Sequence, residues 1–307
     1  MPVIACPSCK KTITNIRGYE NTKEGRKIKG QCLNPKCKTN YFRVPETRTM
    51  ARILHFDIET APMEVYAFSN KTEFISAPML KRDWYVICWS ANWDDSEKVI
   101  SACQTPQEAK NSNDRTNQVD DKRIVEQLWH LLDAADIVVT KNGKTFDVPK
   151  MNERFLCYGL PPLTQYRHVD LQINLRNFGF SWKGLDAVRK RMGGEGKIPT
   201  DFTWWKECMA GNPEYLKKMS LYCGKDVLEN KILYHDIRPW DNQHPNMGVY
   251  SLTGNPCCPV CGSEDLEELS VTYKTQTNTY PQFRCRECGH VPRGRKTTKK
   301  TTVQLVG

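Results

Sequence analysis

The sequence predicts an α/β fold with a mixed central sheet and flanking helices, bracketed by two small cysteine modules. Three observations carry this expectation. Apolar runs of strand length come first, between residues 53 and 103; from residue 124 onward such runs alternate with patterns of helical period; and eight of the 14 cysteines fall into four close pairs near the two ends. Strands followed by strand–helix alternation give a sheet with both antiparallel and parallel neighbours. At 307 residues the chain is long enough for one sizeable core plus accessory modules.

The elements follow in order. Ile53 to Asp57 reads as a buried strand, Trp84 to Ala91 as a second and Lys98 to Cys103 as a third. The polar stretch 105–118 reads as a surface loop. Ile124, Leu128, Leu131 and Leu132 repeat at helical spacing, and 136–140 reads as a strand. A helix through Met151, Phe155 and Leu156 is expected to stop near Gly159, ahead of Pro161 and Pro162. A short strand at 168–171 is followed by helices around 183–192, 202–209 and 213–236. The expected domains are 1–50, 51–240 and 241–307.

The net charge of +10 is unevenly spread. Residues 1–52 carry 12 Lys/Arg against 3 Asp/Glu, residues 53–240 carry 25 against 26, and residues 241–307 carry 8 against 6. A basic module beside a near-neutral, carboxylate-rich domain suits a polyanion such as nucleic acid. No run approaches a membrane span, and the first residues lack a charged-then-apolar leader, so no membrane association and a cytoplasmic location are expected.

Two cysteines separated by two residues form a tight knuckle that turns both thiolates onto one ion, and two knuckles complete a tetrahedral site. Cys258, Cys261, Cys285 and Cys288 fit this spacing, resembling a zinc ribbon; Cys6, Cys9, Cys32 and Cys37 fit it with a wider second pair. Four thiolates leave no open position, so two structural Zn²⁺ ions are expected. Each module is too small to fold on apolar burial alone, and the metal supplies the remainder. The N-terminal module stays basic after its thiolates are counted, with Tyr41 and Phe42 available for stacking, and is the better candidate for gripping nucleic acid; contact with a replication protein is the alternative.

Carboxylates in a telling order dominate the middle of the chain. Asp57 and Glu59 lie in Ile53-Leu-His-Phe-Asp-Ile-Glu-Thr60, two residues apart on one strand face. Asp147 ends Asn142-Gly-Lys-Thr-Phe-Asp147, where a strand hands over to a helix. Tyr222 and Asp226 are one helical turn apart. Carboxylates that close repel one another unless a cation intervenes, and two divalent cations about 4 Å apart are the arrangement that cleaves phosphodiesters by in-line attack of water.

This ordered set resembles the tyrosine branch of the DEDD exonucleases of the ribonuclease H-like fold. Asp57 and Glu59 match the first motif, Asn142, Phe146 and Asp147 the second, and Tyr222 and Asp226 the third, with Leu221 where the histidine branch would carry its histidine. The resemblance covers roughly residues 51–240, takes in 135–138 and 169–170, and is close to stand-alone phage exonucleases. It implies two Mg²⁺ or Mn²⁺ ions held by Asp57, Glu59, Asp147 and Asp226, water oriented by Tyr222, and substrate contacts from Thr60, Asn142 and Phe146. It further implies 3′→5′ release of 5′-mononucleotides, with DNA favoured and RNA the alternative. A separate DNA polymerase or replication protein is the implied partner, in the cytoplasm of a bacterial host if the chain is phage-encoded. A non-catalytic adaptor built on two ribbons is the reading from a different class.

Other residues read as structural. His55, His130 and His168 sit in apolar contexts, Cys88, Cys103, Cys157, Cys208 and Cys223 read as small core residues, and Trp182, Trp204 and Trp205 read as packing, with stacking on bases as the alternative. Relatives often carry histidine where this chain has Lys141, for which a solvated side chain is expected ahead of the alternative, a phosphate contact.

Overall fold

The computed structural model describes residues 4–6, 8–9, 12–13, 16–22, 25–32, 37, 41–45, 50–71, 74–113, 118–251 and 253–300. The chain divides into two compact units, one of residues 1–47 with 52–232 and one of residues 48–51 with 233–307.

The first unit is built on a five-stranded sheet. Its strands are β1 (Ile53–Thr60), β2 (Val86–Trp93), β3 (Val99–Cys103), β4 (Ile137–Thr140) and β5 (Arg167–Asp170), in the order β3-β2-β1-β4-β5. β1 to β3 pair antiparallel; β4 is parallel to β1 and β5 is parallel to β4. Helices α1 (Lys122–Asp133) and α2 (Asp147–Cys157) make the crossovers of the parallel half, and α3 (Leu185–Arg191), α4 (Phe202–Met209) and α5 (Pro213–Ile237) follow.

Alternation along β1 explains the layering. Leu54, Phe56 and Ile58 point to one face and pack with Trp89, Leu128, Met151 and Phe155 in a buried core. Asp57 and Glu59 point to the opposite face, where Cys88, Met219, Tyr222 and Cys223 form a second buried cluster. The Trp89 indole N–H donates to the Ile124 carbonyl at 2.7 Å, fixing α1 across the first core.

One buried ionic group locks strand, loop and helix together. Arg154 of α2 is 1% exposed and donates to Asp121, while Tyr158 donates to the same Asp121 oxygen at 2.5 Å. The other Asp121 oxygen accepts from Val86 N–H at 2.8 Å, so the group ties α2 to the start of β2.

Several expectations need correction. The stretch 105–118 was expected as a loop, yet Pro106–Lys110 forms a short helix. Thr105 accepts from Glu108 N–H at 3.2 Å and Glu108 accepts from Thr105 N–H at 2.7 Å, a reciprocal cap reinforced by proline at the first helical position. His130 and Cys157 are exposed on helix surfaces rather than packed in the core, and Trp182 is 76% exposed. His55 does sit inside, bonded to Asp94 at 2.9 Å, while His168 is half-buried and bonded to Thr140 at 2.8 Å.

Both cysteine quartets come together, each with sulfurs within 4.8 Å of one another. The closest pairs are Cys6–Cys37 at 3.9 Å, Cys9–Cys32 at 3.7 Å, Cys258–Cys288 at 3.6 Å and Cys261–Cys285 at 3.5 Å. Tetrahedral zinc with bonds of about 2.3 Å demands sulfur–sulfur edges of about 3.8 Å, so both quartets have the geometry of zinc ribbons. In the second unit each knuckle closes on a glycine: Gly262 N–H donates to Cys258 O and Gly289 N–H to Cys285 O, both at 2.9 Å and both glycines at φ +81°. Only glycine adopts that conformation without strain. The side chains of Tyr41 and Phe42 lie outside the described residues, as do residues 301–307 of the basic tail.

Two outcomes follow. Arg154→Leu strands a buried Asp121 carboxylate and should lower unfolding free energy by about 3–5 kcal/mol, read by urea denaturation; a loss under ~1 kcal/mol would refute the locking role. Elemental analysis should find two zinc ions per chain, and one in Cys258→Ser; unchanged zinc in that variant would contradict the ribbon geometry.

Candidate active site

The acidic residues converge at the C-terminal ends of the parallel strands, the usual binding position of such sheets. The β1–β4 pairing ends at His55 and Val139, so the last residues of β1 run beyond β4 and leave Asp57 and Glu59 open on that side. On the other side β2 still flanks them, with Asp57 opposite Ser90 and Glu59 opposite Cys88. Helix α5 supplies Tyr222 and Asp226, and its Cys223 thiol donates to the Asp57 carbonyl at 3.4 Å. A buried ion pair between Arg189 of α3 and Glu229 of α5, 2.7 Å long, holds these two helices one turn beyond Asp226.

The second motif is shaped by its backbone. Asn142 sits at φ +68°, a left-handed conformation that asparagine tolerates better than most residues. A Cβ on Gly143 would lie 2.3 Å from Thr140 Oγ1, so no larger residue fits there. Asp170 at the end of β5 accepts from the N–H groups of Asn142 at 2.8 Å, Lys144 at 3.0 Å and Gln172 at 2.9 Å. That clamp fixes the turn from which Asp147 enters α2.

Three of the four expected carboxylates meet. Asp57, Glu59 and Asp226 each bring an oxygen within 4.8 Å of the others. Asp147 stands apart from this trio, buried, its Oδ1 accepting from Ile58 N–H at 3.1 Å. Of the residues expected to touch substrate, Thr60 lines a separate cavity of about 370 Å³ with Trp84, Lys150 and Trp205, while Asn142 and Phe146 are exposed on the turn ahead of Asp147.

Crowding of like charges in a poorly solvated place raises every acid here. Asp57 is held well above the usual carboxylate range by burial, then by its contact with Cys223 and the nearby carboxylates Asp147 and Glu59. Glu59 is pushed up to about 8 by burial and the charge of Asp226, and Asp147 to about 7 chiefly by burial. Asp226 is raised by burial, partly offset by Lys197. Burial together with the Asp226 charge lifts the Tyr222 hydroxyl to about 12, so it stays neutral.

Lys197 is the residue the sequence reading missed. Its ammonium pairs with Asp226 and donates to the Tyr222 hydroxyl at 3.2 Å. It comes from the irregular segment between α3 and α4, which carries no motif, so only the folded chain reveals it. Lys141 also departs from expectation: instead of being solvated it is half-buried and donates to Gln172. Burial lowers its pKa to about 8. Both lysines line a cavity of about 300 Å³ with Asp57, Asp226, Asp186 and Asn230.

These residues fit hard divalent cations. The donor set is all oxygen, and the buried Asp226 Oδ1 and Asn230 Oδ1 have no hydrogen-bond donor. A lysine ammonium drawn into the cluster marks the same demand for positive charge.

No curated protein sequence matches this chain. Residues 94–238 match the RNase_H superfamily. Among solved structures, the family B DNA polymerase from the hyperthermophilic archaeon Pyrobaculum calidifontis aligns with a TM-score of 0.43 and 16% identity, covering 70% of this chain and 29% of the polymerase chain. This chain therefore spans under a third of that polymerase. No helix among the described residues is long and apolar enough to cross a membrane. The five-stranded mixed sheet with flanking helices is RNase H-like, and the superfamily match takes in Asp147, Tyr222 and Asp226.

Proposed function

We propose that this protein is a divalent-cation-dependent 3′→5′ exonuclease that releases 5′-mononucleotides from single-stranded or frayed DNA ends. The observation that carries this reading is the meeting of Asp57, Glu59 and Asp226 oxygens within 4.8 Å beside the neutral hydroxyl of Tyr222, on an RNase H-like domain. Asp57, Glu59 and Asp226 would hold the cations, with Asp147 behind them. When bound, such cations lower the pKa of the attacking water and stabilise charge on phosphorus and the leaving oxygen.

The chain's own residues position the reactants. Lys197 Nζ donates to the Tyr222 oxygen, which also lies against Asp226, so the phenol is held at the edge of the carboxylate cluster. A phenol with a pKa near 12 is a poor base at neutral pH, so Tyr222 orients water or a phosphate oxygen rather than taking a proton. Lys197 and Lys141 place positive charge in a cavity otherwise dominated by carboxylates, where an anionic substrate needs it. Polarity and the preference for DNA rest on the resemblance in the three motifs. That resemblance also suggests a setting in phage or bacterial DNA replication or repair, beside a separate polymerase.

Oligonucleotides of DNA and RNA, labelled at either end, test the reading directly. Stepwise shortening of 5′-labelled DNA that requires Mg²⁺ or Mn²⁺ is expected, and a substrate blocked at its 3′ end should resist. Asp57→Ala and Asp226→Ala should each reduce cleavage by roughly 10²–10³-fold or more. Tyr222→Phe should cost about tenfold, the worth of one hydrogen bond of ~1.4 kcal/mol. Full activity in either aspartate variant would end the proposal.

Stability should depend on pH in a defined direction. Glu59 and Asp147 titrate near 8 and 7 in the folded chain, above their ordinary values of 4.5 and 3.8. A raised acid favours folding below its unfolded pKa, and that contribution is lost as pH climbs through the folded pKa. Without added divalent cations, Tm should therefore fall between about pH 5 and pH 8, less steeply in Glu59→Gln. Added Mg²⁺ should raise Tm more at pH 8 than at pH 5, because cations bind the ionised carboxylates. Equal Mg²⁺ shifts at both pH values would count against the assignment.

A further inference from the structure

A second cavity lies next to the acidic one. The segment Phe178-Gly-Phe-Ser-Trp-Lys-Gly184 has no regular secondary structure and carries an aromatic residue at every second position. Phe178, Phe180 and Trp182, with Ala187 and Arg191 of α3, line a cavity of about 600 Å³. The two phenylalanine rings lie 6.0 Å apart, inclined at 45°, while Trp182 is 76% exposed. An indole left that open beside two phenyl rings presents a stacking surface, not a finished core.

Its position and charge narrow the occupant. The first turn of α3 separates the two cavities: Gly184, Leu185 and Asp186 line the acidic one, and Ala187 and Arg191 line the aromatic one. Of the five Lys/Arg in residues 175–192, Arg189 is buried against Glu229 and Lys190 pairs with Asp186 at 2.9 Å, so the positive charge about the cleft comes from Arg176, Lys183 and Arg191. No carboxylate among the described residues pairs with Arg191. Flat aromatic faces under a basic rim suit a chain that alternates apolar rings with phosphates.

We propose that this cleft stacks unpaired nucleobases of the strand whose 3′ end lies among Asp57, Glu59 and Asp226. Bases in a duplex already have both faces covered, so the cleft selects single-stranded or frayed ends. The inference rests on the nuclease reading and adds to it the side chains that select an unpaired end.

Equilibrium binding of the full-length protein to a 5′-fluorescein oligodeoxynucleotide, in buffer without added divalent ions, tests the cleft while no cleavage occurs. A second oligonucleotide carries abasic sites in place of the bases just upstream of its 3′ terminus. Wild type should prefer the ordinary strand by roughly 5- to 100-fold, the worth of one stacked base. Trp182→Ala should bind both strands alike and with unchanged salt dependence; Trp182→Phe should keep most of the preference. Arg191→Ala should instead reduce the salt slope by about one. Failure of wild type to discriminate, or full discrimination by Trp182→Ala, would overturn the proposal and leave the cleft to a protein ligand. Discrimination without any hydrolysis in Mg²⁺ would refute the nuclease reading while sparing the cleft.

Discussion

The arrangement turns on carboxylates brought together where water cannot screen them. Asp57, Glu59 and Asp226 converge, Asp147 lies behind, and burial raises the pKa of each. Such a cluster is unfavourable until something positive joins it. Protons, the Lys197 ammonium and divalent cations are three interchangeable ways to supply that charge. Much of the surrounding structure holds the acids in place against their repulsion. Asp170 clamps the turn before Asp147, the Arg189–Glu229 pair fixes α3 to α5, and the Cys223 thiol joins α5 to the β1 backbone.

The fold was legible because its elements are written in periods that physics enforces. Alternation in β1 sends Phe56 and Ile58 to one core and Asp57 and Glu59 to the other face, and no tertiary detail is needed to see it. The C-terminal cysteine knuckles were equally plain, since each sets two thiolates two residues apart with a glycine directly after the second. The capped helix at Pro106–Lys110 was missed although its signal was present: Thr105, Pro106 and Glu108 form a capping box inside a stretch too polar to show an apolar period.

Other features were illegible for physical reasons. Lys197 is separated from Asp226 by 29 residues and is matched to it only by the packing of α3, α4 and α5. Trp182 reads as a core residue by composition, yet the extended segment around it leaves the indole in solvent. Lys141 follows a fully buried strand and precedes an exposed turn, and whether its side chain goes inward depends on Gln172 two elements away. In each case the sequence supplies the chemistry and long-range packing decides its use.

Charge balance finally constrains how the cavity works. Lys197 and Asp226 engage each other, so a cation arriving at Asp226 competes with the ammonium for the same carboxylate. Coulomb attraction to a divalent ion at equal distance is about twice that to a lysine, so a cation held by the ionised acids would displace the ammonium wherever this gain exceeds the ion's dehydration cost. The displaced ammonium remains in a cavity of about 300 Å³ together with Lys141. An anionic substrate is the natural partner for both lysines at that point. On the proposed reading Lys197 would serve as a placeholder in the empty cluster and as a phosphate contact in the filled one, and binding of cation and substrate should be mutually reinforcing, since each satisfies the charge the other leaves exposed.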